Sequence, residues 1–244
     1  MLNKYKNATH KLILLDYDGT LVNFSPLPEE AVPSQKILNL LLKLVKQPKS
    51  KIVIITGRSH EDIDRFLGHI PLDIIAEHGA MIKENGIWKK LIASNTLWKE
   101  SFVPLFNRFT LTCSGSFVVE KHFSLTWHYR NAEPKLGYAH SRDLISILED
   151  HIQHYNLKIL DGNKVVEILD KEIGKGNAVK QLVEKGNYDY ILSIGDDKTD
   201  EEMFDMLLLN NNAHTVKVGE GNTVAKHRVN NVDDVISLLE EILQ

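Results

Sequence analysis

The chain has 244 residues, 43% hydrophobic and 25% charged, with a formal net charge of −4 and one cysteine, Cys113. That length exceeds a typical single domain and is enough to remove roughly 70–75% of the unfolded surface from water, so two domains, or a core with an insertion, are expected. An acidic balance without any Lys/Arg run argues against a nucleic-acid partner, a lone cysteine excludes an intramolecular disulfide, and no apolar stretch approaches the ~20 residues of a membrane span.

The opening residues, Met1 to Lys6, lead into a strand-like run with no signal-peptide apolar region, which predicts a cytoplasmic protein. Lys11 to Leu15 is a short apolar run ending at Asp16, the pattern of a strand buried on both faces. Ile37, Leu38, Leu41, Leu42 and Val45 recur at helical spacing up to Pro48. Lys51 to Thr56 reads as a second buried strand. Ser59, with Asp62 three residues on, resembles a capping box that opens a helix through Leu67. Leu72 to Ala76 reads as a third strand. Strand, helix, strand, helix, strand implies a parallel sheet with right-handed crossovers.

From about residue 83 to 171 the pattern changes. Gly86-Ile87-Trp88 looks like a hairpin and Asn95 to Asn107 looks helical. Phe109 to Arg130 alternates as antiparallel strands do, Tyr138 to Tyr155 is an amphipathic helix, and Lys158–Leu160 and Val165–Leu169 read as two more strands. The parallel pattern then resumes, with helices at Gly176–Lys185, Asp200–Leu207 and Val232–Leu243 and strands at Tyr190–Ile194 and Thr215–Val218. The expected architecture is an α/β doubly wound core, residues 1–82 and 172–244, carrying an inserted α+β unit at 83–171.

Four polar pieces stand at or near the ends of predicted core strands, where ligands collect in open α/β sheets. They are Asp16-Tyr17-Asp18-Gly19-Thr20, Thr56-Gly57-Arg58, Gly174-Lys175-Gly176 and Gly195-Asp196-Asp197 followed by Asp200. Each has an ordinary reading alone. The first can be an Asp-Gly turn, the second a helix cap, the third a surface turn, and Glu201 and Glu202 partners of a helix dipole. Together, four such pieces are hard to explain structurally.

In order and spacing the four resemble the motifs of the haloacid-dehalogenase phosphatases. The insertion looks like the α/β cap of one subclass. Leu14 to Leu21, Ala76-Glu77-His78-Gly79, Gly195 to Glu201 and, in the insertion, Trp127-His128-Tyr129-Arg130 are similar to trehalose-6-phosphate phosphatases.

Two carboxylates ~4 Å apart repel by about 4 kcal/mol at an effective dielectric of 20, so converging acids demand a cation. Oxygen donors beside a phosphate select Mg²⁺. Asp16 and Asp196 are the expected side-chain ligands. The resemblance adds the Asp18 backbone carbonyl and makes Asp197 and Asp200 supporting residues. It further implies that Asp16 is the nucleophile, that Asp18 moves the proton, and that Thr56, Gly57, Arg58 and Lys175 surround the phosphoryl group.

In the cap, Lys121 and Glu167 match the family's sugar-binding positions, and Arg130 is a further candidate. The family's first cap glutamate falls on Val119 and its glycine on His122, while alternation turns Glu120 to the opposite face. The expected reaction is hydrolysis of a phosphorylated sugar, with trehalose 6-phosphate the lead substrate. Another sugar phosphate, a glycosylglycerol phosphate or a phosphomutase reaction stays open. Neither a membrane nor a nucleic acid is expected as partner, and a monomer is anticipated.

Overall fold

A computed structural model of the chain describes residues 1–93 and 95–244. The chain opens with a short helix, α1 (Leu2–Asn7), and then enters β1 (Lys11–Leu15), whose last four residues are buried. Next comes α2 (Gln35–Leu44). Ser34 caps it by accepting a hydrogen bond from Ile37 N, and Ile37, Leu40, Leu41 and Leu44 form its buried stripe. β2 (Ser50–Ile55) is followed by α3 (His60–Leu67), capped by the Ser59 hydroxyl, which accepts from Asp62 N. β3 (Asp73–Ala76), β4 (Met81–Glu84) and β5 (Ile87–Lys90) complete this stretch.

The middle of the chain supplies α4 (Lys99–Thr112), β6 (Phe117–Glu120), β7 (Ser124–His128), α5 (Pro134–His151), β8 (Leu157–Gly162) and β9 (Val165–Asp170). Then follow α6 (Lys175–Lys185), β10 (Tyr190–Gly195), α7 (Lys198–Met206), β11 (Ala213–Val218), β12 (His227–Val229) and α8 (Val232–Ile242). Two compact units result. One comprises Met1–Leu91 with Gly174–Gln244, the other Ile92–Ile173.

In the larger unit eight strands run in the order β12-β11-β10-β1-β2-β3-β4-β5. All neighbours from β12 to β3 pair in parallel. β1 has β2 on one side and β10 on the other, so the direction of winding reverses there and opens a crevice at the carboxyl ends of these strands. The apolar runs of β1, β2 and β10 are buried because helices cover a parallel sheet on both faces. This is the doubly wound α/β core that the sequence predicts.

One expectation is corrected. The hairpin around Gly86 belongs to the larger unit and not to the insertion. Asn85 (φ 51°) and Gly86 (φ 78°) make the tight turn between β4 and β5, and β4 pairs antiparallel with β3. A two-residue turn returns the chain at once to the sheet's edge, so the insertion begins after Leu91 and not at 83. Helix α4 likewise starts at Lys99, later than Asn95, and α5 starts earlier than Tyr138, with Pro134 in its first turn.

The smaller unit is a four-stranded antiparallel sheet, β6-β7-β9-β8, with α4 and α5 on one face. Its core joins Phe102, Phe106 and Phe109 of α4 and Leu144 and Leu148 of α5 to Leu125, Trp127, Val166 and Ile168 of the sheet. Strand alternation therefore turns Ser124, Thr126, His128 and Glu167 to the other face. Among the described residues no helix is long and apolar enough to cross a membrane.

Candidate active site

The site grows from three neighbouring strand ends. Asp16 N donates to Ile194 O at 3.0 Å, which ties the residue leaving β1 to β10. Gly19 has φ 83°, and a Cβ on it would lie 2.3 Å from Asp196 Oδ2. Both the turn and the close approach of the two acidic segments thus require glycine here.

At the end of β2, Thr56 Oγ1 accepts from Arg58 N at 3.2 Å. The Arg58 guanidinium forks onto Asp18, with Nε to Oδ2 and Nη2 to Oδ1 both 2.7 Å, and it stands 5.1 Å from the Tyr17 ring. Beyond β3, Glu77 N donates to Arg58 O and His78 N to Thr56 O. Glu77 and His78 both adopt positive φ, 48° and 57°, a cost concentrated beside the site.

Lys175, the first residue of α6 and 3% exposed, reaches Asp16 Oδ1 at 2.7 Å and Asp200 Oδ1 at 2.8 Å. Asp200, wholly buried, accepts from the N–H groups of Asp196 (2.9 Å) and Asp197 (3.0 Å) through Oδ2. Asp197 caps α7 in a capping box with Asp200. The helix start therefore fixes the acidic turn that follows β10. Asp16, Asp196 and Asp200 bring one carboxylate oxygen each within 4.8 Å of one another.

Electrostatics marks the cluster as incomplete. Burial, with the Asp200 carboxylate adding to it, pushes the Asp16 carboxyl up to about 7 against the pull of Lys175. Burial and the neighbouring Asp16 and Asp200 push Asp196 up to about 9. Burial would lower Lys175, but the two carboxylates it touches outweigh that and hold it up. Asp16 Oδ2 is buried without a hydrogen-bond partner. Three carboxylates around one ammonium, one oxygen unpartnered and all donors oxygen, fit a hard divalent cation. The acidic cluster needed to hold such a metal is present.

In the smaller unit Lys121 Nζ donates to Glu167 Oε1 at 2.9 Å, and Ser124 Oγ donates to the same oxygen at 2.5 Å. Glu167 is buried and pairs across β9 and β7 with Thr126. Val119 pairs with Thr126 and shares this face, while Glu120 stands on the helix side, 3.6 Å from Lys99 Nζ. Arg130 lies past the end of β7, where Nη2 donates to Asn163 O at 2.7 Å. His128 stacks on Phe117 at 4.8 Å, and burial lowers its pKa to about 4.

Asp16, Lys175, Asp196, Asp197 and Asp200 thus converge, Asp18 and Arg58 pair with each other beside Thr56 and Gly57, and Lys121 meets Glu167. Sequence reasoning missed Lys217, whose ammonium donates to the Asp196 backbone carbonyl. Its signal was a lysine flanked by Val216 and Val218 near the end of β11. Ser124 was missed too, because one hydroxyl in an alternating strand carries no signal of its own.

The trehalose-phosphatase family profile matches residues 14–234. A bifunctional trehalose-6-phosphate synthase/phosphatase from Thermoproteus tenax is 38% identical over 239 residues, which are 98% of this chain and 32% of the relative. The chain thus spans about a third of the length of curated relatives it matches. The C-terminal domain of the C. albicans trehalose-6-phosphate phosphatase superposes with a TM-score of 0.96 at 31% identity, covering 99% of this chain and 95% of that one. A haloacid-dehalogenase-like hydrolase from B. subtilis shares the fold, with a TM-score of 0.60 at 16% identity over 94% of this chain and 98% of its own.

Proposed function

The chain belongs to the trehalose-phosphatase family, and from that we propose that it hydrolyses a phosphorylated sugar, trehalose 6-phosphate, to trehalose and phosphate. One observation carries the reading. Asp16 offers a buried carboxylate with Oδ1 clamped by Lys175 and Oδ2 left without a partner, inside a cluster that needs a divalent cation to stay ionised.

Asp16, Asp196 and the Asp18 backbone carbonyl are the proposed holders of Mg²⁺, with Asp197 and Asp200 supporting them. Mg²⁺ would neutralise charge on the phosphoryl oxygens and keep Asp16 ionised. An Asp16 carboxylate oxygen attacks phosphorus, the bond from phosphorus to the sugar oxygen breaks, and an aspartyl-phosphate forms. Asp18 gives its proton to the departing sugar alkoxide and then takes one from the water that attacks phosphorus, releasing phosphate and freeing Asp16. Lys175, Thr56 and the backbone N–H groups of the loop from Thr56 to Arg58 stabilise the equatorial oxygens.

The Arg58 fork occupies both Asp18 carboxylate oxygens, so Arg58 must pass from Asp18 to the phosphate before Asp18 can reach the departing sugar oxygen. The smaller unit is proposed as the specificity domain. There Lys121 and Glu167 hold sugar hydroxyls, with Arg130 beside them. A buried, unpaired Cys113 suits a reducing, cytoplasmic setting.

A metabolite screen for Mg²⁺-dependent phosphate release tests the reading. Trehalose 6-phosphate should exceed other hexose phosphates in kcat/KM by at least about tenfold. No release from any sugar phosphate would overturn it.

A further inference from the structure

Thr126 lies at the middle of β7, on the sheet face that carries Ser124 and Glu167, and is 1% exposed. Its Oγ1 is buried without a hydrogen-bond partner. A hydroxyl in that state loses its hydration and gains nothing in return, so buried hydroxyls are nearly always paired.

The surroundings explain why the described residues supply no partner. On one side Thr126 faces Val119 across β6, which has no polar side-chain atom. On the other it faces Glu167 across β9, whose Oε1 already accepts from Lys121 and Ser124. Directly opposed side chains in an antiparallel pair have Cβ atoms about 4.5–5.5 Å apart, so the hydroxyl stands next to the Lys121–Glu167 pair. A ligand group able both to donate and to accept, as a sugar hydroxyl does, is what the position lacks.

We propose that Thr126 is a specificity-determining residue whose Oγ1 hydrogen-bonds a hydroxyl of the sugar between Val119 and Glu167. This rests on the sugar-phosphate reading above and adds to it a contact on the strand between Lys121 and Glu167. Valine matches threonine in shape and lacks only the hydroxyl, so Thr126→Val isolates the contact, and Thr126→Ser keeps it.

The test measures kcat/KM for trehalose 6-phosphate and for p-nitrophenyl phosphate, with the melting temperature of the ligand-free protein alongside. Thr126→Val should lower the ratio of the two kcat/KM values by roughly three- to tenfold, and Thr126→Ser should restore most of it. The melting temperature of Thr126→Val should stay level or rise, because an unpaired buried hydroxyl has been removed. An unchanged ratio, or a lowered melting temperature that marks a structural partner, would overturn the proposal.

Lys121→Ala and Glu167→Ala in the same assay separate the two levels of inference. If they lower the ratio and Thr126→Val does not, the Thr126 contact fails alone. If none of the three moves it, the assignment of this sheet face to the sugar fails as well.

Discussion

At the scale of single residues the site is a set of commitments by individual atoms. Asp16 Oδ1 belongs to Lys175 and Oδ2 to nothing among the described residues. Asp16→Asn should therefore fold normally yet lose activity by at least about 10⁴-fold, measured as phosphate release beside far-UV circular dichroism. Turnover near that of the unsubstituted enzyme would remove Asp16 as nucleophile. Asp18→Asn tests the proton role in another way. p-Nitrophenolate departs without a proton and a sugar alkoxide does not, so the variant should lose at least about tenfold more activity on the sugar phosphate than on the aryl phosphate. Equal losses would reassign Asp18 to binding. Most of these residues could be read in the sequence because acids, lysine and glycine in that order are costly to keep without a use. Thr126 and Ser124 could not, since a hydroxyl in a strand becomes informative only when its neighbours across the sheet are known. Lys217 lies between these cases, as a lysine between two valines whose target, the Asp196 carbonyl, only the fold reveals.

At the scale of elements, the glycine turn after β1 and the start of α7 set the cluster's geometry. Gly19→Ala would place a Cβ 2.3 Å from Asp196 Oδ2 at a φ of 83°. We expect a loss of about 1–3 kcal/mol in stability together with loss of metal-dependent activity, read by urea denaturation and phosphate release. Normal stability and activity would show that the turn relaxes freely. Buried strands such as β1, β2 and β10 were plain in the sequence as apolar runs ending in polar residues. The end of β5 and the beginning of α4 were less so. A hairpin signal says that two strands pair but not which sheet they join, and β4 joins β3. Short elements escaped notice as well. α1 has six residues and β12 three, too few for periodicity to register.

At the scale of the whole molecule, charge balance links the site to stability. Asp16 at about 7 and Asp196 at about 9 hold protons that an unfolded aspartate, near 3.9, gives up. The folded state then binds more protons than the unfolded state between those values, and stability falls as pH rises. Metal-stripped protein should therefore melt at lower temperature at pH 8.5 than at pH 6.5, and Mg²⁺ should restore more at the higher pH. A melting temperature that stays flat or rises without metal would contradict this, and Asp196→Asn should weaken the trend. The doubly wound architecture was legible because parallel strands and crossover helices alternate along the chain, with the smaller unit as the break in that rhythm. The division of the larger unit has a consequence for synthesis. β1, which leads directly into Asp16, pairs with β10, a strand made some 175 residues later. Residues 92–173 have a complete hydrophobic cluster of their own as soon as they leave the ribosome, whereas one flank of β1 must wait, bare, until β10 has been translated.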